Sequence, residues 1–132
     1  MSWINFAVIA LLASLTGLLS QQADAEPGEV ALVKGAEFIK VRPQLIAAGW
    51  KPVVSDYLME DGEPWNRFPP ASLLYRAGYV EVQECSQGSV YCILNYRRGK
   101  ECLQLFTKGE YGKFNGRQYP LLDKWSNECF RH

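Results

Sequence analysis

Four cysteines, Cys85, Cys92, Cys102 and Cys129, are the residues of this chain most suited to covalent chemistry. None is spaced C-x-x-C, so the pattern carries neither a dithiol redox motif nor a zinc knuckle. The single histidine, His132, supplies no Ser-His-Asp arrangement and weakens any metal site. Four acids, Asp56, Glu60, Asp61 and Glu63, crowd one stretch rich in turn formers. They lack the acid alternation and terminal glutamate of an EF-hand, and a solvated linker is their simpler reading. A hydrolase-type enzyme using these loop carboxylates stands as the chemical alternative. Trp65, Arg67 and Phe68 bring together residue types that dominate protein-binding hot spots. They are the candidate partner-binding residues, and anchoring of the loop to the core by Trp65 and Phe68 is the competing reading.

Charge narrows the partners. Fourteen bases balance fourteen acids, and the one local cluster of cations is Arg97-Arg98-Gly99-Lys100. Three cations at a glycine turn fit a hairpin tip, and a nucleic-acid partner is not expected. The Lys108-Gly-Glu-Tyr-Gly112 stretch lacks the lysine and hydroxyl positions of a phosphate loop, so no cofactor and no metal are expected.

The N-terminus speaks for export. Phe6 to Leu19 is apolar apart from Ser14, Thr16 and Gly17, and Ala23-Asp24-Ala25 suits signal peptidase. Residues 1–25 are therefore expected to be a signal peptide cleaved after Ala25, although no Lys or Arg precedes the apolar run. Residues 26–132 are expected to form one exported globular domain, periplasmic or secreted, with no stable membrane insertion once the signal is removed. Cysteines in even number fit that oxidising destination.

Two stretches share a grammar. Pro43 to Ala48 reads as a helix ended by Gly49, then Trp50 and an extended piece to Val54; Phe38, Ile39 and Val41 extend that helix backwards across a kink at Pro43. Ser72 to Ala77 reads as a helix ended by Gly78, then Tyr79 and an alternating strand to Cys85. Segments 42–54 and 71–83 thus suggest an internal repeat of helix, glycine, aromatic and strand. A meander follows: Val90 to Tyr96, a turn over Arg97 to Lys100, Cys102 to Thr107, a Gly-rich loop over Lys108 to Gly116, and a last strand over Gln118 to Trp125. The expected class is α+β: a small antiparallel sheet with short helices on one face, stabilised by disulfides.

Side-chain alternation gives a register to test. With Cys85 opposite Cys92, Val80, Val82 and Ile93 share a face, and a three-residue turn adds Leu103 and Leu105 to it. That all-apolar face is the one the helices should cover. A C-terminal tail crossing the other face brings Cys129 to Cys102. The expected pairs are Cys85–Cys92 and Cys102–Cys129, among three combinations open to four cysteines.

The string Arg42-Pro-Gln-Leu-Ile-Ala-Ala-Gly-Trp-Lys-Pro52, with Gly78-Tyr-Val-Glu-Val-Gln-Glu-Cys85, Cys92 and Thr107-Lys-Gly-Glu110, resembles a group of small exported bacterial proteins of unassigned function. The resemblance implies export, bacterial origin and a shared fold, and supplies no activity. The leading expectation is a non-catalytic binding module acting on a protein partner, inhibitor-like or envelope-associated. A self-associating structural protein of the envelope is the remaining alternative.

Overall fold

The computed structural model describes residues 29–55, 61–63, 68–88 and 90–130. The expected signal peptide lies outside them, as do Asp56, Glu60, Trp65, Arg67 and His132.

Helix α1 (Phe38–Ala47) is followed by β1 (Lys51–Pro52), α2 (Ala71–Arg76), β2 (Val82–Cys85), β3 (Tyr91–Arg98), β4 (Glu101–Phe114) and β5 (Arg117–Ser126). The strands form one antiparallel sheet in the order β1-β3-β4-β5. Strand β2 also pairs with β3, so β1 and β2 lie along different parts of the same β3 edge. The result is a disulfide-stabilised α+β fold, with two short helices among the described residues.

Both helices stop in the same way. Gly49 and Gly78 adopt φ of +89° and +96°, a region that only glycine enters freely. The next amides turn back: Trp50 N–H donates to Leu45 O at 3.0 Å and Tyr79 N–H to Leu74 O at 3.1 Å. Each is the six-to-one bond of a Schellman cap, and each delivers a buried aromatic to the core directly after the helix. Pro43 sits inside α1, which continues through it as far as Ala47.

The covered face differs from the expected one. Leu94 lies opposite Leu105 and Tyr96 opposite Leu103, joined by the Gly99-Lys100 turn, so a two-residue connection replaces the expected three-residue one. The core face carries Val82, Cys92, Leu94, Tyr96, Leu103, Leu105 and Leu122, packed against Phe38, Val41, Leu45 and Leu74. Ile93 falls on the opposite face, level with Phe106. A β-bulge is the cause. Val82 opposes Leu94 but Glu84 opposes Ile93, so Gln83 is an extra residue in β2. It keeps Cys85 opposite Cys92 while moving Val82 onto the face of Leu94 and Tyr96, which buries larger side chains than strict alternation allows.

A second correction concerns Lys108 to Gly116. Strand β4 runs unbroken to Phe114, and Asn115-Gly116, at φ +48° and +75°, closes a two-residue hairpin to β5. An Asn-Gly pair with positive φ at both positions matches the right-handed twist of the flanking strands.

Both expected disulfides are present, Cys85–Cys92 and Cys102–Cys129. The second anchors the tail to the helix-free face of the sheet, where Asn127 also donates to Cys102 O at 3.2 Å. On that face the side-chain amides of Gln83, Asn95 and Gln104 bond in series across β2, β3 and β4, at 2.8 and 3.1 Å.

Candidate functional site

A buried polar cluster lies between α1 and the sheet. Glu81, fully buried, precedes β2; Arg42 reaches it from α1 and Tyr96 from β3. Arg42 Nε donates to Oε1 at 2.6 Å and Nη2 to Oε2 at 3.2 Å, and the Tyr96 hydroxyl donates to Oε1 at 2.5 Å. Nη2 also approaches Gly78 O at 3.3 Å, and the guanidinium lies 5.2 Å from the Tyr79 ring centre. Burial, reinforced by the neighbouring Glu81 charge, pushes the Tyr96 hydroxyl far above its ordinary range. The hydrogen bond to Glu81 holds Arg42 more firmly protonated. Burial also raises Tyr79. Both oxygens of the Glu81 carboxylate are engaged, by a guanidinium and a phenol, and the group is buried, so it is poorly placed to meet a substrate. The group therefore positions backbone: it ties the middle of α1, the turn after α2 and the centre of the sheet to one point.

Next to it lies a groove. It is lined by Pro69, Pro70 and Leu73 at the start of α2, Glu110 and Tyr111 of β4, and Gln87 and Val90 of the β2–β3 connection, around a volume of about 310 Å³. Two irregularities of the backbone build it. Lys108 opposes Leu121 and Gly112 opposes Tyr119, so three β4 residues, Gly109 to Tyr111, bulge opposite the single residue Pro120. Proline has no N–H to give a ladder, which makes this the natural place for pairing to lapse. The second is Val90, at φ +45°. A β-branched residue there is a genuine outlier, costing about 1–3 kcal/mol. Its carbonyl accepts the Gly109 N–H at 3.0 Å, which joins the two irregularities.

Apolar side chains meet water around this groove. Leu73 is 47 % exposed, Tyr111 38 % and Phe68, beside Pro69, 48 %. Tyr111 also touches Tyr79 edge-on, with ring centres 6.0 Å apart, and Tyr79 packs on Phe38 at 5.4 Å. The groove thus rests on the Arg42–Glu81 group through two aromatic rings.

Of the candidate partner-binding residues, Phe68 is exposed and precedes the groove-lining Pro69 in the chain without itself lining the groove, while Trp65 and Arg67 lie outside the described residues. Of the four loop acids, Asp56 and Glu60 lie outside the described residues; Asp61 and Glu63 are exposed, and Asp61 accepts the Glu63 N–H at 3.1 Å to close its own turn. Of the cations at the β3–β4 turn, Arg98 is drawn into contacts with its own fold. Arg98 lies 4.5 Å over the Trp50 ring, donates to Ala48 O at 3.2 Å and pairs with Glu101 at 2.9 Å. Among the described residues no three His, Cys, Asp or Glu side chains are grouped to hold a metal ion, and no helix is long and apolar enough to cross a membrane. Glu81, Val90 and Tyr111 escape the sequence reading. Glu81 sits in an alternating stretch that marks it as a solvent-facing strand residue, and Tyr111 sits in what reads as a loop. No family model, curated protein or solved structure matches the chain.

Proposed function

We propose that the protein is a non-catalytic binding module, exported to the periplasm or secreted after cleavage behind Ala25, which holds a protein partner in the Leu73–Tyr111 groove. One observation carries the reading. The bulge in β4 and the left-handed Val90 are both unfavourable for the isolated fold, and both act to set apolar side chains around the same groove. Such departures from regular structure are retained where a surface has work to do beyond folding. Two disulfides support an oxidising compartment. The exposed rings and Leu73 suit the apolar centre of a protein interface.

A photo-crosslinking amino acid placed at position 73 in the producing organism tests this, with position 46 on α1 as the comparison. Ile46 is 44 % exposed, so the two probes see water alike. A discrete heavier product from position 73 alone is expected. Equal labelling at both positions, or none at 73, overturns the proposal. A product at twice the chain mass assigns the groove to a second copy and overturns it too.

A further inference from the structure

The groove carries a marked charge asymmetry. Glu110 is the one charged side chain lining it among the described residues, and it stands on the bulge, exposed, beside Tyr111. Four basic side chains elsewhere are paired with other acids: Arg42 with Glu81, Arg98 with Glu101, Lys34 with Asp123 and Lys40 with Glu37. Glu110 enters no ion pair among the described residues. Leu73 and the two prolines line the same groove. An apolar side chain seated between them would exclude water next to the carboxylate. A cation brought to the same place would then be attracted through a poorer dielectric than at an open surface. An acidic or purely apolar ligand would leave that carboxylate repelled or partly desolvated without a partner.

From this complementarity we infer that the partner presents a peptide segment in which a large apolar residue is closely followed or preceded by Lys or Arg, the apolar side chain entering beside Leu73 and the cation meeting Glu110. This rests on the binding-module reading and specifies its partner. Specificity here comes from both terms: the apolar wall selects size, and Glu110 rejects acidic neighbours.

The test is selection of random dodecapeptides displayed on phage against the oxidised full chain, repeated with Leu73→Asp and with Glu110→Lys. Both sites are exposed, so the variants are expected to fold, which circular dichroism and intact disulfides verify. Wild type should enrich sequences joining Leu, Phe or Tyr to Lys or Arg. Leu73→Asp should lose that enrichment, and Glu110→Lys should exchange the basic residue for Asp or Glu. A synthetic selected peptide should bind Glu110→Gln about threefold to tenfold more weakly than wild type, the difference shrinking in high salt. Apolar sequences enriched without a cation, and unaltered in Glu110→Lys, overturn this inference and leave the groove standing as a binding site. Selection by Leu73→Asp that equals wild type, or no enrichment at all, overturns both.

Discussion

Arg42 and Glu81 are thirty-nine positions apart, yet Arg42 Nε stands 2.6 Å from Glu81 Oε1 with the carboxylate wholly out of water. The two partners are not equivalent, because the Arg42 side chain keeps 23 % of its surface exposed. Removing Arg42 therefore strands a buried charge, whereas removing Glu81 leaves a cation that can reach solvent. Arg42→Met is expected to cost about 3–5 kcal/mol, and Glu81→Gln, which still accepts from Tyr96, about 1–2 kcal/mol. The double variant Arg42→Met/Glu81→Leu should recover part of the first loss. Urea unfolding of the oxidised protein measures all three. Equal costs for the two single variants contradict the asymmetry.

The disulfides should differ in worth. Cys85 and Cys92 are 7 residues apart and Cys102 and Cys129 are 27 apart. Loop entropy predicts about 2–2.5 kcal/mol for the short bridge and about 3–4 kcal/mol for the long one. Paired Cys→Ser variants, compared by urea midpoint, test the order. Loss of the long bridge should also expose the tail from Asn127 onwards to limited proteolysis, while loss of the short one should not.

What could be read in advance follows from the range of the interactions. The caps at Gly49 and Gly78 close within six residues, so glycine followed by an aromatic announces them. The cysteine pairing was expected for a similar reason, from a hairpin that sets Cys85 opposite Cys92 and a tail that crosses to Cys102, although spacing alone left three combinations open. The register was not, because the bulge at Gln83 answers to how Leu94, Tyr96 and Val82 fill space together. Glu81 was hidden more deeply. Its partners arrive from α1 and β3, and nothing local separates it from the half-buried Glu84 three residues on. In the groove, Tyr111 was concealed by glycines that look like a loop and in fact shape a bulge. Asn115-Gly116 was a legible hairpin signal that the neighbouring glycines obscured.

Two residues beside that bulge respond to substitution in opposite ways. The Thr107 hydroxyl is buried with no hydrogen-bond partner among the described residues. Thr107→Val keeps the shape and removes the unsatisfied group, and should raise stability by about 1 kcal/mol. Gly109 has φ +99°, and a Cβ there would run into the Tyr119 ring. Gly109→Ala is expected to lose more than about 1 kcal/mol and to displace Tyr119, visible as shifted ring resonances of Tyr119 and Phe114, which now pack edge-on at 5.8 Å. A neutral Gly109→Ala would mean that the bulge tolerates more than its geometry suggests.

The acid side of the stability profile should bear the mark of Glu37. Its carboxylate pairs with Lys40 at 2.6 Å and accepts the Gln118 N–H at 3.2 Å, linking the entry of α1 to the start of β5. The Lys40 contact first, and the Gln118 amide second, hold this carboxyl below its ordinary 4.5. A carboxyl with a depressed folded-state pKa binds its proton more readily in the unfolded chain. Its contribution is therefore complete above the unfolded-state value and fades as pH falls from about 4.5 through the folded-state value. Glu37→Gln should accordingly be less stable than wild type near neutrality, and the gap should close as the solution is acidified below that point. In Lys40→Met the Glu37 carboxyl should titrate closer to 4.5, as followed by the chemical shift of its side-chain carbonyl carbon. Urea midpoints of wild type and Glu37→Gln across the acid range decide the matter. A gap that stays constant, or widens, on acidification shows that these contacts do not favour the ionised carboxylate.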